Sequence, residues 1–300
     1  MPERAHTRPG QGMTRVGAVV SPYHHPPESL REAVQTAEAA GVPELWLWED
    51  CFRESAFASV AAALAWTDRL HLGLGIAPIP LRNVAATAME IATIERMFPG
   101  RFSPGVGHGV LPWMAQVGAR AASPLSLMRE YLPPLRALLA GEEVTTRGDH
   151  VRLDRVRLDW PPASAPPVYA SAEGPKTLTV TGELADGTIL NWGYTSDDVA
   201  TQVARVREAR AAAGRDGEAT IVAYISAAFG AGARGRVADA FSDRTAPEAR
   251  GVWGDPGDVA TGLRRFVDAG VDAVVLVPTP GDDDLVPFLH ATGEVARHLE

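Results

Sequence analysis

Cysteine and lysine are almost missing from this chain: among 300 residues there is one cysteine, Cys51, and one lysine, Lys176. A lone cysteine closes no internal disulfide, so the fold has to be held by its core, and a reducing compartment is expected. No Cys/His cluster has zinc-ligand spacing, and no metal site is expected. No apolar run approaches the roughly 20 residues that span a bilayer. Positive charge is scarce as well: 28 basic residues face 37 acidic ones, for a net charge of −9. That balance argues against nucleic acid and anionic membrane surfaces as partners. Residues 1–12 are polar and lack the apolar stretch of a signal peptide. They read as a disordered tail on a cytoplasmic protein, ahead of one domain over 13–300.

What the chain has in quantity is short apolar runs alternating with helical patterns, and 46% of its residues are hydrophobic. Strands are expected at residues 16–20, 45–48, 70–74, 102–106, 168–170, 188–191, 220–226 and 273–277. Helices are expected at 28–40, 55–66, 83–97, 126–139, 197–213, 256–269 and 285–299. Pro133 and Pro134 predict a kink or restart in the helix over 126–139. The rhythm breaks at residues 144–158, where Thr, Val, Arg and Leu alternate around Gly148-Asp149, the pattern of a β-hairpin insertion. Residues 231–251, rich in Gly, Arg and Ala, read as a mobile insertion or a short helix. Eight strands alternating with helices predict one TIM-type (β/α)₈ barrel with a β-hairpin insertion, in preference to a doubly wound sheet.

Such a barrel carries its chemistry on the loops that follow the strands. The ring of loops so defined is aromatic and glycine-rich with a few polar groups, which suits a flat, partly apolar cofactor with an anionic tail. Glu49 and Asp50 follow the second strand. Neighbours in a strand point to opposite sides, so at most one faces the pocket. Acid/base work is one reading; a helix cap and an ion pair with arginine is the other. His108 lies between Gly107 and Gly109, where backbone can approach a ligand closely; a loop histidine without a role fits equally. His24-His25 is followed by Pro-Pro and lacks the His-x-His pattern of metal-dependent hydrolases. Cys51 reads as a packed small side chain.

The most informative stretch is Glu173-Gly174-Pro175-Lys176, between an apolar strand and a helix start. Backbone N–H groups and the positive dipole end there suit a phosphate, Pro175 fits the first helical turn, and Lys176 adds a point charge. An ordinary strand-to-helix loop has the same outline.

With Gly182-Glu183-Leu184-Ala185-Asp186-Gly187 behind it, this turn resembles the phosphate-binding unit of the bacterial luciferase-like monooxygenase superfamily. The likeness is strongest to the deazaflavin-dependent branch typified by methylenetetrahydromethanopterin reductase. Leu45 to Asp50, Leu72 to Ile76, Arg101 to Gly109, Gly254-Asp255-Pro256 and Ala269 to Asp272 resemble the family in order and spacing, so that the likeness runs from about residue 14 to 295. The resemblance implies a TIM barrel that binds the 8-hydroxy-5-deazaflavin coenzyme F-420 or, alternatively, FMN. It puts Glu173, Gly174 and Lys176 by the cofactor phosphate. It makes Gly75-Ile76, with Ala77 after it, a strand bulge, often with a cis peptide, under the ring, and sets Gly107 to Gly109 along the ring edge. Two departures set the chain apart from the family's sugar-phosphate dehydrogenases: Asp50 stands where several carry histidine, and Val110 where some carry glutamate. A proton would then come from Asp50, Glu49 or His108. The implied activity is hydride transfer between the deazaflavin and a small organic substrate. The alternatives are an FMN-dependent monooxygenase fed by a separate flavin reductase, and a non-catalytic cofactor-binding barrel. A homodimer is expected.

Overall fold

A computed structural model describes residues 14–282 and 284–299; the tail expected at 1–12 lies outside them. The strands in chain order are β1 (Arg15–Val20), β2 (Glu44–Leu47), β3 (His71–Leu74), β4 (Ala77–Pro78), β5 (Phe102–Ser103), β6 (Gly105–Gly107), β7 (Val144–Arg147), β8 (Arg152–Val156), β9 (Tyr169–Ala172), β10 (Gly187–Leu190), β11 (Thr220–Phe229), β12 (Gly251–Gly254) and β13 (Ala273–Pro278). β3 and β4 are two halves of one barrel strand, interrupted at Gly75-Ile76, and β5 and β6 are two halves of another, interrupted at Pro104. With those halves joined, the parallel pairings β1–β2, β2–β3, β3–β5, β4–β6, β6–β9, β9–β10, β10–β11, β11–β13 and β13–β1 close a ring of eight strands. The expected barrel is present, and the expected hairpin is β7–β8, an antiparallel pair outside the ring. The Glu130 carboxylate holds its turn by accepting from the backbone N–H groups of Asp149 (3.3 Å), His150 (2.7 Å) and Val151 (3.0 Å).

The main core lies between ring and helices, where Leu45, Leu47, Leu72 and Leu74 are buried against Val60, Ile91 and Leu289. A second cluster fills the bore: Val19, Trp46, Trp48, Tyr169, Ile189, Val222, Tyr224 and Val275. The glycines of the apolar strands make space for these rings. A Cβ on Gly73 would run into the Trp46 indole, and one on Gly187 into the Tyr169 ring.

One expectation needs correction. The helix Pro124–Leu139 runs unbroken through Pro133 and Pro134. Its buried face, Leu127, Met128, Tyr131, Leu132, Leu135 and Leu138, packs along the whole length, and this tertiary packing overrides the local cost of proline. Of the two readings of residues 231–251, the short helix holds: the segment contains a helix, Ala233–Ala240, a short 3₁₀ turn, Pro247–Arg250, and the start of β12, which pairs with the far end of β11. β12 was missed because Gly251-Val252-Trp253-Gly254 is too short to show a period, and its partner, residues 226–229, is distant in sequence.

Candidate active site at the barrel mouth

The alternation of β2 continues past its end and sorts four consecutive side chains. Leu47 joins the outer core and Trp48 the bore. Glu49, 8% exposed, turns outward to Arg82, whose Nη2 donates to its Oε1 at 2.5 Å. Asp50 comes back toward the mouth, with the Tyr23 hydroxyl as its polar partner. Arg53 stacks over the Tyr23 ring at 3.9 Å. Both carboxyls are pushed above the usual carboxylate range by burial, against the opposing pull of Arg82 on Glu49 and of Tyr23 and Arg53 on Asp50. The arginine pair and the mouth-facing acid, open alternatives at the level of sequence, thus fall on different residues.

Opposite, the Gly75-Ile76 peptide is cis, as is Cys51-Phe52, which no sequence signal marked. Gly75 leaves room for the Tyr224 hydroxyl, which donates to the Gly75 carbonyl at 3.3 Å, and a Cβ on Gly107 would press on Ile76. Ala77 is buried, while Ile76 remains partly open above the bore cluster. Gly109 has φ +68°, beside Pro78. His108, between the two glycines, is half-buried, its Nδ1 has no hydrogen-bond partner among the described residues, and burial lowers its pKa. Burial thus favours the uncharged ring. No hydrogen bond joins His108 to Asp50 among the described residues.

Trp48 and Trp192 stack with centroids 5.2 Å apart and planes 12° from parallel. Trp48 Nε1 is buried and faces the Tyr224 hydroxyl without a well-formed hydrogen bond. Tyr23, Arg53 and Trp192 lie on loops that follow the strands, as the barrel rule expects; that Trp48 enters the bore and stacks on Trp192, and that Arg53 stacks on Tyr23, is what sequence reasoning missed. The pleat of Trp46-Leu47-Trp48 was the available signal, since residues two apart share a face.

On the far rim, Gly174 caps the helix Pro175–Leu184 without a side-chain cap, and a Cβ there would meet nothing. Lys176 is exposed and makes no ion pair among the described residues. Glu173 is tied to Asn191, whose Nδ2 donates to its Oε1 at 2.5 Å. The rest of the motif is structural. A Cβ on Gly182 would strike the Val206 carbonyl of the neighbouring helix. Asp186 gathers Arg136 (2.8 Å), Arg215 (2.7 Å) and the Val168 N–H (3.0 Å) at the opposite end of the barrel.

His24 and His25 line a groove of about 340 Å³ beside Tyr23, Phe52 and Arg53. No three His, Cys, Asp or Glu side chains gather as a metal site among the described residues. Cys51 is half-exposed, and burial with the nearby Glu49 and Asp50 raises its thiol pKa, the opposite of what a nucleophile needs. Among the described residues no helix is long and apolar enough to cross a membrane.

An eight-stranded parallel ring with an aromatic mouth, a cis bulge and an open glycine–lysine helix start defines a class, and the comparisons agree with it. The luciferase-like monooxygenase profile matches residues 7–234, and the chain belongs to that family. It is 30% identical to a 5,10-methylenetetrahydromethanopterin reductase of Methanolobus tindarius over 63% of this chain and 57% of that protein. It is 28% identical to an F-420-dependent glucose-6-phosphate dehydrogenase of Intrasporangium calvum over 90% of this chain and 94% of that protein. The matched part spans a little over half the length of the reductase. Among solved structures, the coenzyme F-420 dependent tetrahydromethanopterin reductase of Methanopyrus kandleri superposes with a TM-score of 0.84 at 21% identity, covering 97% of this chain and 100% of that one. An F-420-dependent secondary alcohol dehydrogenase gives the same score over 96% of this chain and 99% of its own.

Proposed function

We propose that this chain is a deazaflavin-dependent oxidoreductase that moves a hydride between coenzyme F-420 and an electron-poor carbon of a small organic substrate. The observation that carries this reading is the pairing of two unsatisfied features across the mouth. One is an open helix start beside a Lys176 that makes no ion pair among the described residues; the other is an apolar surface of Ile76 and the stacked Trp48 and Trp192, with polar groups at its edge that have no partner among the described residues. Their chemistry matches a planar ring with an anionic tail. Three of the relatives above carry F-420 in their names.

When bound, the cofactor supplies the hydride carrier at C5 of its ring. The chain's own residues do the rest. The N–H groups at Pro175–Leu184 and the Lys176 ammonium hold phosphate. Glu173, being bonded to Asn191, shapes the loop that carries them. Gly75 and Gly107, by admitting Tyr224 and Ile76, set the height of the floor under the ring. Trp48 and Trp192 exclude water, which strengthens every charge interaction inside. Asp50, whose carboxyl burial pushes above the usual carboxylate range, is the group placed to exchange a proton with the substrate. Neutral His108 offers a hydrogen bond across the mouth without adding a charge, and Glu49 positions the loop through Arg82.

Titration of the purified protein with F-420 and separately with FMN, followed by fluorescence, tests the reading. Saturable F-420 binding with no FMN binding is expected. Tight FMN binding without F-420 binding transfers the chain to the flavin monooxygenases, with a separate reductase as partner. A homodimer is part of the proposal, because the helix Ala56–Ala65 is apolar around its circumference and the helix Val84–Met97 exposes Met89 (60%) and Met97 (55%). Sedimentation equilibrium tests it, with a monomer at micromolar concentration as the refuting result.

A further inference from the structure

A second pocket lies outside the ring, and the barrel mechanism makes no use of it. Its volume is about 500 Å³. The segment 246–254 roofs it, an elaboration that an eightfold barrel does not require. Its walls are Trp253 of β12, Ala249 and Glu248 of the 3₁₀ turn, Ser196 at the start of the helix Ser196–Ala212, and Arg265 of the helix Pro256–Asp268.

Arg265 is unusual here. Most partly buried guanidinium groups of this chain face a carboxylate, as Arg82 faces Glu49, Arg215 faces Asp186 and Arg236 faces Asp282. Arg265 has none. Its Nη2 donates to the Gly251 carbonyl at 2.5 Å, its Nε is buried with no partner among the described residues, and its Cζ lies 4.9 Å from the Phe266 ring centroid. Burial without a counter-charge depresses its pKa. The other charge on the wall, Glu248, is already engaged by Arg234 at 2.8 Å. The pocket therefore presents one uncompensated cation beside an indole and small apolar side chains.

We propose that this pocket is a second small-molecule site, distinct from the barrel mouth, for an amphipathic carboxylate: an anionic head paired with Arg265 and an aromatic or aliphatic body against Trp253 and Ala249. Charge complementarity selects the head, because an uncompensated half-buried cation is the group that gains most from an anion. The volume selects the size, since it suits a compact small molecule and is too small for a folded partner.

Indole-3-acetate and its neutral isostere indole-3-acetamide are the probes, titrated by calorimetry into the full-length protein. The acid is expected to bind with a stoichiometry of one, at least about tenfold tighter than the amide, the weight of one charge-assisted hydrogen bond. Arg265→Gln should abolish that preference, and Lys176→Ala, at the barrel mouth, should leave it intact. Because Arg265 also braces β12, Ala249→Trp serves as a second variant that fills the pocket from its half-exposed rim and leaves Arg265 in place; it should block both probes. Equal affinity for acid and amide, binding unchanged in Ala249→Trp, or an acid preference lost in Lys176→Ala would each overturn the site and leave Arg265 as a brace for β12 only. None of these outcomes depends on the F-420 assignment, which the cofactor titration decides separately.

Discussion

The two ends of the barrel treat charge in opposite ways. At the end where the strands begin, most buried polar groups are matched, Glu95 Oε2 excepted. Glu44, 3% exposed, accepts from Arg15 at 2.5 Å and from Trp46 Nε1 at 3.1 Å. His71 bonds Ser103 at 2.8 Å, Asp272 accepts from the Ile221 N–H at 2.7 Å, and Asp186 collects two arginines. At the end where the strands finish, Trp48 Nε1 and His108 Nδ1 are buried without partners among the described residues, and Lys176 is exposed with no ion pair among them. A buried polar group without a partner costs about 1–3 kcal/mol, so the mouth is kept at the expense of stability and the base supplies it. The difference teaches where to look in this fold: matched groups hold the ring, and unmatched groups await a ligand.

That contrast is broken most sharply at Asp50. Asp50→Asn keeps the shape and removes the titrating proton. Hydride transfer to the true substrate is expected to fall by roughly 10²–10⁴-fold, as measured in single turnovers, with F-420 affinity nearly unchanged. Full turnover across the pH range would make Asp50 a loop anchor for Tyr23 and Arg53. The base gives the reciprocal case. Glu44→Ala strands Arg15 and the Trp46 N–H, and should lower stability by about 2–4 kcal/mol in urea unfolding while leaving cofactor affinity alone. An unchanged urea midpoint would mean that the base is not the stabilising end.

Lys176→Ala reverses that pattern at smaller scale. Cofactor binding should weaken by about 1–3 kcal/mol, read by fluorescence titration, with no loss of stability because the side chain is exposed and unpaired. Equal affinity would move the phosphate away from this turn. The smallest expected effect lies in pH dependence. Burial raises the Asp50 carboxyl, so the folded state holds its proton more tightly than the unfolded state does. The stability it contributes is complete below the ordinary carboxylate value of about 4 and is lost as pH rises through the folded value. His108 acts in the other direction: its depressed pKa contributes stability above about pH 6.5 that is lost on acidification. Asp50→Asn should therefore match the wild type in urea midpoint at pH 3 and exceed it at pH 7. A variant less stable than wild type at pH 7 would show that Asp50 belongs with the matched groups.

Much of the barrel was legible because the signals are local. The run Val16 to Val20 and the Gly148-Asp149 turn each report on a few neighbouring residues, and the elements appear within a residue or two of where those signals put them. The mouth was legible in part, through the rule that loops after strands carry the site. The meaning of its glycines was not. Gly75 reads as a ligand-facing residue until Tyr224, 149 positions away, is found with its hydroxyl on the Gly75 carbonyl. Asp186 reads as part of a phosphate motif until Arg136 and Arg215 are found on it.

By itself the order of residues determined the alternation of strands and helices, the hairpin, and the nomination of residues 49–50, 107–109 and 173–176 as rim loops, because hydrophobic period and turn chemistry are properties of short segments. Only the closed ring decided that Glu49 leaves for Arg82 while Asp50 stays at the mouth, that Trp48 stacks on Trp192, that residues 251–254 add a strand, and that Arg265 is left with no acid to face. Each of these depends on which distant side chain arrives first at a shared space, and burial and charge compensation are defined only once the whole chain is packed.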